Sequence, residues 1–404
     1  WSFPTAGGEP VGVTDGEGRR NRTVFRMEDL WPEEDHVPPG ARLLLTAYDD
    51  REKHQGFAEA RLGEPGVRFL EAGLGRFYRF EARAEEAERM LYTRESYTEF
   101  PDLWVSDLSL DERRRVSEAN PGLEDHALGE AELVEWTGPD GLPLQGVLIK
   151  PAGYEEGTRY PVLVYFYRLF SQRLHRFNDP AVNHRPSFPY YASHGYAVFL
   201  PDIRFDIGRP GHSATQALVT GVQKLVEMGV ADPARIGLHG HSWSGYQTAF
   251  VVTQTDLFAA AVAGAPVSNM TSAYGGIRYE SGLARMFQYE QSQSRMGATL
   301  WNGRDRYIES SPLFYADRIE TPLLIQFGDR DGAVPWTQGI ELYLALRRLG
   351  KDVWFLQYRG EGHHLEEYPN KLDYSIKMRE FFDHYLKGEP APEWMTEGVP
   401  YRGE

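Results

Sequence analysis

The residues Gly240-His241-Ser242-Trp243-Ser244-Gly245 follow a short apolar run, Arg235 to Leu238, and precede a segment of helical character. A serine held between small residues on a sharp strand-to-helix turn projects its hydroxyl above a sheet, where it can attack a carbonyl carbon. Ser244 stands where the pattern G-x-S-x-G has its second glycine, and Gly245 follows at once. Alone, the hexapeptide also reads as a Gly/Ser turn without chemistry. Two later stretches weigh against that. Leu323 to Phe327 reads as a strand and runs into Gly328-Asp329-Arg330-Asp331-Gly332-Ala333-Val334-Pro335. Val353 to Gln357 reads as another and runs into Tyr358-Arg359-Gly360-Glu361-Gly362-His363-His364.

A serine hydroxyl is a poor nucleophile at neutral pH, so an imidazole must take its proton and later return it to the leaving group. A carboxylate must hold that imidazole in the right tautomer. The order nucleophile, acid, histidine, each at the carboxyl end of a predicted strand, resembles that of the α/β-hydrolases. Ser242 is the candidate nucleophile, His363 the acid/base and Asp331 the orienter. Spacing alone leaves Asp329 and His364 as competitors, each within two residues of the preferred partner.

These residues need a sheet to position them. From Glu130 onward the pattern is strand, strand, then strands alternating with helices, which predicts an α/β fold with a doubly wound, mostly parallel sheet. Ala131 to Thr137 and Pro143 to Lys150 read as a hairpin around Gly138-Pro139-Asp140-Gly141. Pro161 to Tyr167 and Tyr196 to Pro201 are continuous apolar runs of the buried-strand kind, and Phe258 to Ala263 supplies a further strand. Helices are predicted over Ser213 to Gly229, Thr337 to Leu349 and Lys371 to Leu386.

The first 130 residues read differently. Arg42 to Ala47 resembles Arg89 to Arg94, 47 positions on, and Gly56 to Leu62 resembles Pro101 to Leu108 at a similar offset. Short strands repeating at that period predict β-propeller blades. Two or three blades are fewer than the four to eight of a closed propeller, so an all-β, incomplete propeller is expected over 1–129, the catalytic domain over 130–390 and a tail over 391–404. Open blades also lead us to expect an upstream propeller segment, a partner chain or a second copy against them.

With 43 basic against 59 acidic residues the net charge is -16, which disfavours nucleic acid as a partner. No apolar stretch reaches the roughly 18 residues of a membrane span, so no membrane partner is expected. Cysteine is absent, which excludes disulfides, thiolate metal sites and a cysteine nucleophile. The compartment stays open between cytoplasm and periplasm or exterior, with any leader already absent. The pair His239 and His241 is read as facing opposite sides, which argues against joint ligation; no metal and no cofactor is expected.

Leu238 to Gln247, Gly328 to Trp336 and Gly360 to His363 together resemble the prolyl oligopeptidase family of serine peptidases, which pair a β-propeller with an α/β-hydrolase domain. The resemblance covers 130 to 390 well and 1 to 130 more loosely. It implies a pattern G-x-x-D-x-x-V-P that selects Asp331 over Asp329, and a histidine after a glycine-rich turn that selects His363 over His364. It also implies a tyrosine supporting the oxyanion, which Tyr167 matches, with the backbone N–H of Trp243 as second donor; as a bland alternative, Tyr167 is a core aromatic. Arg168-Leu169 replace glycines common in the family, which makes the bordering loop bulkier.

The function so implied is hydrolysis of short peptides through an acyl-enzyme. A carboxylesterase or acyl-sugar esterase on the same fold and triad is the alternative, and a non-enzymatic propeller-linked binding protein a second one. In the aromatic-rich stretch Tyr274 to Trp301, the side chains of Tyr279, Phe287, Tyr289 and Trp301 are expected to wall an apolar substrate pocket, or else to serve as core.

Overall fold

The computed structural model describes residues 1–3 and 7–399. The chain divides into two compact units, residues 1–133 with 171–178 and residues 134–170 with 179–404. Among the described residues, no helix is long and apolar enough to cross a membrane.

The first unit is antiparallel sheet. Strands β1 (Thr23–Met27), β2 (Arg42–Asp49), β3 (Gln55–Arg61) and β4 (Val67–Glu71) pair in sequence order. Strands β5 (Phe77–Arg83), β6 (Arg89–Glu95), β7 (Asp102–Asp107) and β8 (Arg114–Arg115) do the same. A single parallel pairing, Gln55 with Phe77, joins the two groups. These are two four-stranded blades, and the repeat seen in the sequence places β2 over β6 and β3 over β7.

Alternation explains how they pack. Leu43, Leu45 and Ala47 of β2 share one buried cluster with Ala58 and Ala60. Leu44, between them, joins Phe57 and the second blade's Tyr78, Met90 and Tyr92 in another. Phe57 is fully buried, its ring edge-on to Tyr78 at 6.0 Å and Tyr92 at 5.8 Å. The segment 171–178 belongs here through Glu95, whose carboxylate accepts from the Phe177 N–H at 2.9 Å and from the Arg176 guanidinium at 3.0 Å.

The second unit carries β9 (Glu130–Thr137) from Val134 onward, β10 (Pro143–Lys150), β11 (Tyr160–Tyr165), β12 (Ala197–Pro201), β13 (Ala231–His241), β14 (Ala260–Gly264), a small hairpin β15 (Ile277–Arg278) and β16 (Leu283–Ala284), then β17 (Leu323–Gly328) and β18 (Val353–Tyr358). Apart from that hairpin they form one sheet of order β18-β17-β14-β13-β11-β12-β10-β9. Pairing from β12 through β18 is parallel throughout, and β10 runs antiparallel to β12. The order reverses between β11 and β13, the place where loops at the strands' carboxyl ends diverge to open a crevice.

Helices cover both faces. On β13, Ile236 and Leu238 join the main core with Leu218 and Val222 of α1 (Pro210–Glu227). Gly237, pointing the other way, lies under Phe382 and Leu386 of α4 (Tyr368–Lys387), where an added Cβ would come within 2.8 Å of either. Between them in sequence come α2 (Trp243–Val251) and α3 (Thr337–Arg348). A mostly parallel sheet buried on both faces needs strands apolar on both, which is why these strands read as continuous apolar runs.

Phe57→Ala is expected to cost about 3–5 kcal/mol in the unfolding transition of the first unit, as loss of a buried phenyl ring does. Val24→Ala, on an exposed position of β1, is expected to stay within about 0.5 kcal/mol. Denaturant titration followed by tryptophan fluorescence checks the pair.

Candidate active site

β13 ends at His241 and α2 begins at Trp243, so Ser242 alone makes the turn, with φ 61° and ψ -117°. A non-glycine residue in such a conformation costs about 1–3 kcal/mol and persists only where its surroundings over-determine it. Here they do. A Cβ on Gly240 would sit 2.2 Å from the carbonyl oxygen of Ser244, and one on Gly245 would sit 2.2 Å from that of Gly264. The Ser242 N–H donates to Gly264 at 2.8 Å. Ser244 Oγ accepts from the His241 N–H and donates to the His241 carbonyl, both at 2.9 Å. The departure from G-x-S-x-G therefore has a role: the hydroxyl closes the turn, and Gly245 makes the close approach to β14.

The parallel strands bring three sequence-predicted residues together. Ser242 Oγ lies 2.8 Å from His363 Nε2, and His363 Nδ1 lies 2.8 Å from Asp331 Oδ2. A carboxylate only accepts, so Nδ1 carries the proton and Nε2 is left to accept from Ser242. The other oxygen of Asp331 accepts the N–H groups of Ala333 and Val334, each at 2.8 Å, which fixes the fully buried carboxylate in place. Asp329 and His364 lie apart from this relay. Asp329 ties the ends of β17 and β18, accepting from the Gly360 N–H at 2.8 Å and Gln357 at 3.2 Å.

Glu361, which sequence reasoning passed over, holds the histidine loop. It is buried, and its carboxylate accepts from the N–H groups of Glu366 at 2.7 Å and Glu367 at 3.1 Å and from Asn370 at 2.6 Å. These donors stand at the start of α4, where free N–H groups and the helix dipole both favour a carboxylate.

A cavity of about 420 Å³ opens over Ser242, lined among others by Tyr167, Trp243, Arg278, Arg285 and Gln293. Trp243 begins α2, so its N–H has no partner within the helix. The Tyr167 hydroxyl accepts from Gln293 at 2.8 Å, which leaves its own proton to donate. Gln293 is a second residue the sequence did not single out.

The expected aromatic wall is not there. Tyr279, Phe287 and Trp301 are 68%, 52% and 76% exposed and line no part of the cavity. Trp301 lies against the edge of Tyr274 instead. The core has room for the stretch's other rings, Tyr274 and Tyr289, and Tyr289 also borders the cavity. From the same stretch, two guanidinium groups face it. Arg285 is buried, with one Nη donating to the Ala333 carbonyl at 2.7 Å. Arg278 has no ion-pair partner among the described residues.

Histidines crowd one side. The imidazole of His241 lies 4.5 Å from that of His184 and about 5 Å from those of His363 and His364, centre to centre; His184 stacks on His364 at 4.3 Å. Burial, then the neighbouring His364, pushes His184 down to about 3, and burial pushes His241 well below the usual imidazole range. The expectation that His239 and His241 face opposite sides fails, because strand residues two apart share a face. His239 instead meets the Tyr374 hydroxyl of α4 at 3.3 Å, and His241, at the strand end, reaches the cluster.

Residues 183–389 match the sequence model of the prolyl oligopeptidase family. The chain is 27% identical over 279 residues to the peptidase YuxL of Bacillus subtilis, a match covering 65% of this chain and 40% of that protein. It is 28% identical over 211 residues to the acylamino-acid-releasing enzyme of Arabidopsis thaliana, covering 49% and 27%. Among solved structures, Pyrococcus horikoshii acylaminoacyl peptidase superposes with a TM-score of 0.68 at 23% identity, covering 88% of this chain and 56% of that one. The chain thus spans well under two thirds of these relatives.

Glu361→Gln, which removes the charge but keeps the shape, is expected to cost about 1.5–3 kcal/mol, the range for hydrogen bonds to a charged group. Glu366→Gln, on the exposed side of the same loop, is expected to stay within about 0.5 kcal/mol. Thermal unfolding of both variants checks this.

Proposed function

The chain belongs to the prolyl oligopeptidase family, and from that premise we propose that it is a serine peptidase that cleaves short peptides through an acyl-enzyme on Ser242. The observation that carries this reading is the unbroken relay from Ser242 Oγ through His363 to Asp331, with both hydrogen bonds at 2.8 Å.

Ser242 Oγ attacks the scissile carbonyl as its proton passes to His363 Nε2. The imidazolium so formed is stabilised by Asp331, whose geometry the Ala333 and Val334 N–H groups fix beforehand. Negative charge moves to the carbonyl oxygen, where the Trp243 N–H and the Tyr167 hydroxyl are the donors. His363 then gives its proton to the leaving amine, the C–N bond breaks, and the acyl group remains on Ser242. Water attacks the ester by the same route in reverse, releasing the acid and restoring the serine.

The two arginines favour a substrate that presents acceptor oxygens over one with a bare apolar side chain. Relatives named for releasing acylamino acids support an N-acylated peptide, whose blocked end offers such a carbonyl. Incubation of the chain with matched peptides bearing blocked and free N-termini, and with short acyl esters, tests the substrate class. Turnover of the blocked peptides is expected; turnover confined to the esters would contradict the peptidase reading.

Asp331→Asn and His363→Ala are each expected to lower kcat by about 10⁴, as loss of a triad member does, while Asp329→Asn keeps kcat within about tenfold. Tyr167→Phe is expected to lower kcat by about 10² to 10³ with KM little changed, since its hydroxyl acts on charge that develops only in the transition state. Steady-state kinetics on the best peptide of the panel reads out all four variants.

A further inference from the structure

We propose that His184, His241 and His364 form a binding site for a divalent transition-metal ion of the zinc class, and that an ion held there inhibits the reaction reversibly. One ring nitrogen from each of the three lies within 4.8 Å of the others. Nitrogens 2.0–2.1 Å from one tetrahedral ion lie about 3.4 Å apart, so the rings need to close by about 1.4 Å at most. His364 is exposed, so its ring has room to rotate toward the other two.

His241 carries the argument furthest. It is 3% exposed, and neither ring nitrogen has a hydrogen-bond partner among the described residues. Buried polar side chains are nearly always paired, so an imidazole with two unpaired nitrogens among other imidazoles calls for a ligand. Three separate parts of the sheet deliver the rings: His184 from the loop before the helix Phe188–Ser193, His241 from the end of β13, and His364 from the loop after β18. Three imidazoles with an open side toward a cavity suit zinc, copper or nickel and do not suit magnesium or calcium.

The position gives the ion its effect. His363 lies 5.1 Å from both His241 and His364, ring centre to ring centre. His184, His241 and His364 also line the cavity over Ser242, so the ion and its remaining ligands occupy substrate space. The inhibitory half of the proposal rests on the peptidase reading above; the binding half does not.

The test therefore begins with binding, on the Ser242→Ala variant of the chain titrated with cobalt(II) chloride as a spectroscopic stand-in for zinc. One ion per chain with the strong visible bands of a low-coordinate nitrogen site is expected. His184→Gln and His364→Gln should each weaken binding at least tenfold, their folding checked by circular dichroism, and His363→Ala should leave it intact. Absence of binding, indifference to His184→Gln and His364→Gln, or loss in His363→Ala would each overturn the site. In the active chain, zinc should lower kcat/KM and EDTA restore it, magnesium and calcium should do neither, and His364→Gln should raise the inhibition constant at least tenfold against its own uninhibited rate. An unshifted constant would overturn the inhibitory role. A chain that turns over no peptide would refute the peptidase reading and still return the cobalt result.

Discussion

The backbone of Ser242 is the constraint on which the rest of the site depends. Its left-handed φ lifts the hydroxyl clear of β13 and leaves the first N–H groups of α2 without partners in the helix, so one strained residue exposes that hydroxyl and those N–H groups together. The strain of about 1–3 kcal/mol is offset by close packing that only glycine allows at positions 240 and 245, and by the two hydrogen bonds of Ser244. A larger residue at Gly240 would meet the Ser244 carbonyl and the Thr248 hydroxyl of α2, and one at Gly245 would meet the Gly264 carbonyl of β14, so either would displace the turn.

Sheet polarity does the rest of the positioning. Because β13, β14, β17 and β18 run parallel and adjacent, the loops that follow them leave the same edge, and residues 121 positions apart meet at 2.8 Å. Each loop is then fixed by local donors to a carboxylate: Ala333 and Val334 to Asp331, Gly360 to Asp329, and Glu366 and Glu367 to Glu361. The His363 imidazole is thereby fixed in orientation against Asp331 and Ser242 by the protein alone, which is what electrostatic preorganisation requires.

What was legible in the sequence is what local rules encode. The elbow, the acid and the histidine each follow an apolar strand, and chain order narrows the acid to Asp329 or Asp331 and the histidine to His363 or His364, with the family pattern selecting within each pair. The 47-residue repeat likewise predicted two or three blades, and β2 and β6, which it aligns, are the second strands of the two blades observed. Long-range choices were hidden. Nothing local says that Tyr289 turns into the core while Phe287, two residues earlier, turns out, because the hairpin β15–β16 and the short helix Met286–Glu290 set that direction. Gln293 and His184 matter only through what they meet across 126 and 57 positions of chain, and the grouping of 171–178 with the first unit rests on Glu95, 81 residues from Arg176.

Covalent trapping reads whether the strained serine is the nucleophile. The chain is incubated with a fluorophosphonate, its intact mass is measured, and the modified peptide is sequenced by fragmentation. One adduct per chain is expected, on Ser242. An adduct on another residue, such as Ser244, or an unmodified chain that still hydrolyses peptides, would contradict it.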